Sequence, residues 1–254
     1  MSAAAATLIF CAPGYPGGSG DAKPFLDQFA KDAAASAGWQ PGSLAADYDP
    51  TEQGGLAKLA DKESVLAFIP YAFYVQHAAT LHLTPLVQAD VANVGIQERW
   101  TLVGKTGGTV TNAATLTGYT ILSTAGYAPD FVKHSALATW TLPADVKIEV
   151  TGQVLSALRR VAAGEPVVAL LDQTQAAGLA TLPFAGQLKT LIQSAPLPVA
   201  LVAVVDSRVP APRAKSLQTA LINMSADKGS AETLASMRLK GFVAPQLPGN
   251  AATP

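Results

Sequence analysis

The chain has 254 residues, of which 49% are hydrophobic and 14% charged, and its 17 basic and 18 acidic side chains nearly cancel. Average globular proteins contain about 25% charged residues, so this composition predicts a well-buried core in one large or two modest domains. The chain has no basic tract and no stripe of basic and aromatic residues, which argues against a nucleic-acid partner. The longest apolar runs, 65–75 and 195–205, contain proline and are shorter than the ~20 residues of a membrane span, so no membrane insertion is expected.

The first residues, MSAAAATLIFCAP, have neither a positively charged segment nor a complete hydrophobic segment. No signal peptide is therefore expected within this sequence. The Ala-rich start is compatible with a signal peptide that has been removed, in which case the mature chain would be extracytoplasmic.

The first hundred residues alternate between short apolar runs and amphipathic segments. Short apolar runs are typical of buried strands, and apolar residues at three- and four-residue spacing are typical of helices. The run 65–69 is apolar throughout, as expected for a strand covered on both faces. The pattern predicts strands at Thr7–Cys11, Ser43–Ala46, Val65–Ile69 and Arg99–Gly104, and helices at Lys23–Ala35, Gln53–Leu59 and Tyr71–Leu81.

The second half continues this alternation after a polar, Gly-containing link at Lys105–Thr111, which predicts a domain boundary. In the segment Tyr119–Leu137, a strand at Tyr119–Leu122 leads through a small-residue turn into a helix that begins near Ala128. Such a unit presents the N–H groups and the positive dipole end of the helix to a ligand. Further helices are predicted at Thr151–Ala163, Pro212–Met224 and Ser230–Met237, and strands at Val167–Leu171, Leu188–Ile192 and Val199–Val205.

Strands that alternate with helices predict an α/β fold with mostly parallel sheets, in which ligands lie at the carboxyl ends of strands. Gln97 and Trp100 lie at the start of the segment that carries the predicted strand Arg99–Gly104. The candidate ligand-binding residues, with Gln97, are those that follow predicted strands: Tyr15, Tyr71, Ser123, Thr124, Tyr127, Asp172 and Gln173. This aromatic and weakly charged set favours a small ligand that is uncharged and polar or partly apolar. Core packing is the alternative role for each aromatic residue, and capping of the following helical turn is the alternative role for Asp172.

Six segments spread over nearly the whole chain carry a family resemblance: IFCAPGYP, GGLAKLADKESVLAFIPYAFY, ERWTLVGK, LTGYTILST, ALRRVAAGEPVVALLD and QSAPLPVALVAV. Their order and spacing resemble the phosphate- and phosphonate-binding family of periplasmic solute receptors, which serve ABC transporters. The resemblance implies a two-lobed α/β fold of the type II periplasmic-binding class, with crossing strands near Arg99–Thr106 and Ala195–Val205. Residues 1–105 and 199–254 would form lobe 1, residues 106–198 would form lobe 2, and the ligand would lie in the cleft.

The resemblance also implies what the protein does and where. It implies a non-catalytic periplasmic or extracytoplasmic receptor that binds a small solute, acts with an ABC transporter permease and needs no cofactor. In the implied cleft, Tyr15 and Tyr71 of lobe 1 are expected to face Tyr127 and Asp172 of lobe 2.

The chain departs from this family pattern at two places. In the phosphonate binders, hydroxyl residues at the start of the first helix of lobe 2 hold the anion, whereas Ala128, Pro129 and Asp130 stand there in this chain. Proline has no N–H to donate, and a carboxylate repels an anion at close range. The family also has an acidic residue after the proline of the return crossing, where this chain has Val199 after Pro198. We therefore expect weak binding of phosphate and simple phosphonates.

Two other functions remain open. An enzyme on the same two-lobed fold, similar to proteins of the thiamine-pyrimidine or menaquinone pathways, would need a reactive group, and Cys11 and His77 are the candidates. A small buried hydrophobic role is the alternative for Cys11. A ligand-sensing domain of a regulator is the third possibility, although no DNA-binding helix pair precedes it. The histidines show no metal spacing, and Glu52, Glu98 and Asp172 show no paired spacing that would indicate acid–base chemistry, so neither a metal site nor a catalytic residue is predicted.

Overall fold

The computed structural model describes residues 6–14 and 19–249. The chain divides into two compact units. Unit 1 contains the chain up to Gln97 and again from Pro198 onward, and unit 2 contains Glu98–Leu197. The chain therefore passes from unit 1 to unit 2 once and returns once.

Both units are built from alternating strands and helices, which confirms the predicted α/β class. The strands are β1 (Ala6–Cys11), β2 (Leu44–Asp49), β3 (Ser64–Pro70), β4 (Leu83–Val91), β5 (Gln97–Glu98), β6 (Thr101–Lys105), β7 (Thr120–Ser123), β8 (Lys147–Val150), β9 (Val167–Leu171), β10 (Leu188–Gln193), β11 (Leu197–Pro198), β12 (Ala200–Val205) and β13 (Leu239–Val243). The helices are α1 (Ser19–Ser36), α2 (Glu52–Leu59), α3 (Tyr71–Leu81), α4 (Pro129–Phe131), α5 (Val154–Ala163), α6 (Gln173–Ala177), α7 (Ala211–Asn223) and α8 (Lys228–Ser236). Among the described helices, none is long and apolar enough to cross a membrane.

The sheet of unit 1 has the strand order β13-β4-β12-β3-β1-β2. β1 pairs in parallel with β2 and β3, whereas β12 runs antiparallel to β3 and β4, and β13 antiparallel to β4. Phe10, Phe29, Phe68 and Phe242 form an aromatic cluster in the core, with neighbouring ring centroids 5.2–6.4 Å apart. Sheet and helices therefore share one apolar core on this face, and the aromatic contacts add to the burial of apolar area.

The sheet of unit 2 has the strand order β10-β6-β9-β7-β8. β7 is parallel to β8 and β9, and β6 is antiparallel to β9 and β10. The apolar face of α5, with Leu158 and Val161, packs on β6 and β9. This helix ends at Gly164, whose φ of +87° is the left-handed conformation that favours glycine at a helix end.

The two sheets share one topology. The order β2-β1-β3-β12-β4 in unit 1 matches the order β8-β7-β9-β6-β10 in unit 2. In each sheet an antiparallel strand, β12 or β6, lies between two strands that are parallel to each other, and this strand follows a passage of the chain from the other unit. The start of that strand lies at the same end of the sheet as the carboxyl ends of the parallel strands.

The two passages of the chain are marked by β5 and β11, which pair in a separate two-stranded sheet. The sequence-based division at residue 105 placed the strand 101–105 in lobe 1, but β6 pairs with β9 and β10 of unit 2. The Gly-containing link that suggested this boundary is a turn inside unit 2, where the Thr106 N–H donates to Gln187 O at 2.8 Å. A polar turn and a domain link have the same composition, so the sequence pattern did not distinguish them.

Candidate functional site

The candidate site lies at the end of the unit 2 sheet where the parallel strands finish. Ser123 of β7 lies beside Leu170 of β9, and Thr101 of β6 lies between Leu171 of β9 and Gln193 of β10. The first residues of β6 therefore meet the turns that follow β7, β9 and β10. We call this region the strand-end site, and it comprises residues 98–100, 123–124, 172–175 and 194.

Ser123 and Thr124 end β7 and are both buried. The Ser123 hydroxyl donates to Leu170 O at 2.8 Å and accepts the Ala125 N–H at 3.1 Å. The Thr124 hydroxyl accepts the side-chain N–H of Gln175 at 3.3 Å. These bonds fasten the turn after β7 to β9 and α6, so the Ser123 hydroxyl serves the fold of this region directly.

Asp172 caps α6. Its Oδ1 accepts the Gln175 N–H at 2.8 Å, and Gln175 Oε1 accepts the Asp172 N–H at 3.2 Å, which is a reciprocal capping box. The side chain is 3% exposed. The capping interpretation of Asp172 is therefore confirmed, and its role in ligand binding stays a prediction.

Glu98 lies against the start of α6 and is only 5% exposed. Its Oε2 accepts the Gln173 N–H at 3.4 Å, and the Trp100 side chain donates a second hydrogen bond to the carboxyl group. Burial, and secondly the carboxylate of Asp172, raise the pKa of Glu98 to about 8, while the two donated hydrogen bonds act in the lowering direction. The Glu98 carboxyl is therefore mostly protonated at neutral pH.

The start of β6 is held on two sides. The Arg99 N–H donates to Gln173 Oε1 at 3.3 Å, and the Arg99 guanidinium donates to Ser194 O at 2.7 Å. The Trp100 N–H donates to Ser194 Oγ at 2.9 Å. The Trp100 ring meets Phe131 edge-on, with centroids 5.1 Å apart and an interplanar angle of 74°. These contacts join β6 to α6, to the segment after β10 and to α4.

The positions that the resemblance assigns to the family's anion cradle, 128–130, lie at the start of α4, which has three residues and continues into a π-helical turn at Val132–Ala136. Ala128, directly before the helix, is fully buried and provides no side-chain cap. The first helical residue is a proline, and the second, Asp130, is exposed. Tyr127 is half-buried before them. This turn therefore contains a buried methyl group, a half-buried proline ring and an exposed carboxylate where the resemblance implies hydroxyls.

In unit 1, the helix that follows β3 begins directly at Tyr71. Its N–H donates to Val199 O at 3.0 Å, and its ring stacks on Tyr74 with centroids 6.1 Å apart. Burial, and secondly Tyr74, raise the pKa of Tyr71 to about 12. Tyr71 is thus packed within unit 1, and its ligand-binding role stays a prediction. Gln97 is half-buried on β5, and Tyr15 lies outside the described residues.

The two residues that an enzymatic function would need both lie near α2 of unit 1. The Cys11 thiol is 1% exposed and donates to Thr51 O at 3.5 Å. Burial, followed by Asp49 and Glu52, raises the pKa of Cys11 to about 12, so the thiol is protonated at physiological pH. His77 Nε2 lies 2.8 Å from Glu52 Oε1. In the part of the chain that the structure describes, no three His, Cys, Asp or Glu side chains are grouped so as to hold a metal ion.

Four of the predicted residues lie together in the strand-end site: Ser123, Thr124, Asp172 and Gln173. The expected arrangement of tyrosines and Asp172 across the two lobes involves both units and stays a prediction. Sequence reasoning missed Glu98, Gln175 and Ser194 as members of the site. Glu98 and Ser194 have partners 75 and 95 residues away along the chain, so spacing carried no signal for them. An acidic residue directly before a buried strand, in ERWTLVGK, was the available clue.

Comparison with solved structures finds the same fold in proteins of low sequence identity. XAC2383 from Xanthomonas citri bound to ATP is 15% identical, with a TM-score of 0.69 over 96% of this chain and 92% of that one. A binding protein component of an ABC phosphonate transporter from Pseudomonas aeruginosa is 14% identical, with a TM-score of 0.60 over 94% and 81% of the two chains. PhnD1 from Prochlorococcus marinus in complex with methylphosphonate is 12% identical, with a TM-score of 0.54 over 95% and 93%. The fold is therefore the two-lobed type II periplasmic-binding fold.

Comparison with curated protein sequences returns no match. The sequence model of one family, described as the periplasmic substrate-binding protein of phosphonate ABC transporters, matches residues 66–247. This match covers more than half of the chain and includes both passages between the units. The chain therefore belongs to the family of periplasmic substrate-binding proteins of phosphonate-type ABC transporters.

Proposed function

We propose that this chain is a non-catalytic, extracytoplasmic receptor that binds a small solute and delivers it to an ABC transporter permease. Membership in the substrate-binding family supports the receptor role and the extracytoplasmic location. The state of Cys11 supports the absence of catalysis, because a buried thiol with a pKa of about 12 supplies almost no thiolate to attack a substrate.

We further propose that the solute is uncharged and polar, or partly apolar, rather than phosphate or a simple phosphonate. The observation that carries this proposal is the chemistry of the turn after β7, where Ala128, Pro129 and Asp130 stand at the positions that the resemblance assigns to a hydroxyl cradle. Two like charges 4 Å apart repel by about 4 kcal/mol at an effective dielectric constant of about 20. An oxyanion bound beside Asp130 would therefore need strong donors elsewhere to offset this repulsion.

The acidic pair nearby supports the same solute class. Glu98 and Asp172 are both buried in the strand-end site, where Glu98 accepts the Gln173 N–H and Asp172 accepts the Gln175 N–H. A negative charge held at this place disfavours a dianionic ligand and leaves a neutral ligand unaffected. Small-solute sites commonly combine apolar walls with a few polar groups, and Tyr71 and Tyr127 are the proposed walls.

The test is thermal unfolding of the purified chain with two sets of compounds. The first set contains pools of uncharged sugars, polyols and small amides, and the second contains phosphate, methylphosphonate and ATP, each tested alone. A ligand present at 100 times its Kd stabilises the folded state by about 2.7 kcal/mol, which raises Tm by roughly 5–10 °C for a chain of this size. We expect such a shift with at least one uncharged pool and with none of the three anions. A shift with the anions alone would contradict the proposed solute class and leave the receptor role intact.

A further inference from the structure

Two buried acidic residues lie at the start of α6, where the chain enters unit 2. Glu98 is the last residue of β5 and the first residue of unit 2, and Asp172 is the residue before α6. The side chain of Glu98 accepts the backbone N–H of Gln173, the residue directly after Asp172. With exposures of 5% and 3%, neither carboxyl group is solvated well enough for both to be charged at low cost.

We propose that Glu98 and Asp172 hold one proton between them in the folded chain and form a pH-sensitive clasp that fastens the first crossing segment to the start of α6. In the protonated state, the Glu98 carboxyl accepts from Gln173 and Trp100 and adds no second negative charge beside Asp172. Loss of the proton places two buried negative charges side by side, and their repulsion opens the clasp.

Asp172 is suited to carry the charge of the pair. Its Oδ1 accepts the N–H of Gln175 as the cap of α6, and a carboxylate at a helix N-terminus is stabilised by the unpaired N–H groups and the dipole. Glu98 reaches the same helix start only through the Gln173 N–H, at the longer distance of 3.4 Å. The burial and the neighbouring charge that raise the pKa of Glu98 to about 8 agree with a proton that resides on Glu98.

Among the described charged groups near the pair, one is bonded elsewhere and three are exposed. On the same strand segment, the Arg99 guanidinium donates to Ser194 O. The return segment, 194–198, reads SAPLP and has no ionisable side chain. Phe131 brings α4 and the turn after it into contact with Trp100. The ionisable side chains of this segment, Asp130, Lys133 and His134, are exposed. Asp172 is therefore the charged group that acts on Glu98.

The sign of the pH effect follows from these states. The folded chain keeps the Glu98 proton up to about pH 8, whereas an unfolded chain loses it near the ordinary value of 4.5. Between these limits the folded state binds more protons than the unfolded state, so stability falls as pH rises. The variant Glu98→Gln cannot ionise, and its amide can accept from Gln173 and donate to Asp172. The stability of this variant therefore lacks the decrease that the ionisation of Glu98 causes as pH rises.

The main experiment is thermal unfolding of the full chain and of Glu98→Gln between pH 5.5 and pH 9. We expect the Tm of the wild-type chain to fall relative to that of the variant by roughly 5–10 °C over this range. The same comparison in an Asp172→Asn background, which keeps a good helix cap, should show a smaller fall because the like charge is gone. The exposed Glu149 is the matched control, and Glu149→Gln should track the wild-type chain at every pH.

A Tm difference between the wild-type chain and Glu98→Gln that stays constant from pH 5.5 to pH 9 would overturn the clasp, as would an equal change in Glu149→Gln. A measurement on the wild-type chain alone covers the case in which a variant fails to fold. With glutamate labelled by ¹³C at the carboxyl group, NMR should show one glutamate that titrates between pH 7 and pH 9. Titration of every glutamate below pH 6 would refute the proposal.

Discussion

Units 1 and 2 share one strand order, yet the ends of their sheets carry different chemistry. Cys11 ends β1 in unit 1 and Ser123 ends β7 at the matching place in unit 2. After the third parallel strand, unit 1 continues directly into α3 at Tyr71, whereas unit 2 continues through Asp172 and a capping box. The shared topology decides where the chain turns in each unit. At the turn after the third parallel strand, unit 1 carries an aromatic side chain, whereas unit 2 carries an acidic side chain that accepts a hydrogen bond.

The difference extends to how each turn is stabilised. In unit 1, the Tyr71 ring stacks on Tyr74, and the buried Cys11 thiol adds a long hydrogen bond of 3.5 Å to Thr51 O. In unit 2, Ser123 and Asp172 rely on hydrogen bonds to backbone and side chains up to 47 residues away. Apolar packing tolerates small shifts of its partners, whereas buried hydrogen bonds depend on fixed geometry. We therefore expect the strand-end site of unit 2 to respond more sharply to substitution.

The largest effect is expected for Gly126→Ala in unit 2 compared with Gly55→Ala in unit 1. A methyl group at Gly126 would overlap the backbone carbonyl of Glu149, which is fixed by β8, and should cost about 3 kcal/mol of unfolding free energy. A methyl group at Gly55 would overlap the side chain of Cys11, which is the smaller obstacle, and should cost roughly 2 kcal/mol. Gly152→Ala, which meets open space, is the control in the same urea titrations. Equal costs at Gly126 and Gly152 would contradict the close approach of β8.

A comparably large effect is expected in the reactivity of Cys11. Because burial raises its pKa to about 12, alkylation by iodoacetamide at pH 8 should be at least ~100-fold slower in the folded chain than in urea. A Cys11→Ser chain that carries Ser156→Cys on the exposed face of α5 is the control, and its thiol should react at similar rates in both conditions. Rapid alkylation of native Cys11 would revive the enzymatic alternative.

A third comparison uses one helix cap from each unit. Asp172→Ala removes the buried cap of α6 and should cost roughly 2 kcal/mol, whereas Thr51→Ala removes the exposed cap of α2 and should cost about 1 kcal/mol. Asp172→Asn keeps a capping oxygen and should recover most of the loss. Urea unfolding at pH 6 measures all three variants under conditions where Glu98 is protonated. A loss for Thr51→Ala that equals or exceeds the loss for Asp172→Ala would show that burial does not separate the two caps.

The smallest expected effect is a gain in phosphonate binding. The double variant Ala128→Ser with Asp130→Ser places two hydroxyls at the start of α4 and removes one negative charge. We expect methylphosphonate to bind at least tenfold more tightly, which corresponds to about 1.4 kcal/mol. Glu149→Gln removes one charge elsewhere in unit 2 and should leave the affinity unchanged. An equal gain in both variants would mean that net charge, and not the cradle, limits binding.

The sequence predicted those parts of the fold that depend on local pattern. The helix Tyr71–Leu81 and the strand Val167–Leu171 have the predicted bounds, because each is a continuous apolar or amphipathic run. β4 was missed because Pro85 and Gln88 interrupt its apolar pattern. The polar side chain of Gln88 can be fully buried because hydrogen bonds satisfy its polar atoms. It donates to Ile96 O and accepts the N–H of Gln246, a residue 158 positions away. A partner at such a distance leaves no trace in a single sequence.

The strand-end site shows the same division between local and distant information. The role of Asp172 as a helix cap follows from its position before a short helix and was predicted as an alternative. The sequence gives no comparable signal for Glu98, because this residue has no acidic neighbour at a regular spacing. Its nearness to Asp172 arises only when β6 inserts antiparallel beside β9, and the order of strands in a sheet is not encoded in local periodicity.

The most direct test of the account is calorimetric titration of the wild-type chain with methylphosphonate and with phosphate at pH 7. The start of α4 offers Ala128, Pro129 and Asp130, and the strand-end site holds the buried pair Glu98 and Asp172. We therefore predict dissociation constants no tighter than about 1 mM, or about −4 kcal/mol, for both anions. Micromolar or tighter binding of either anion, about −8 kcal/mol, would contradict it.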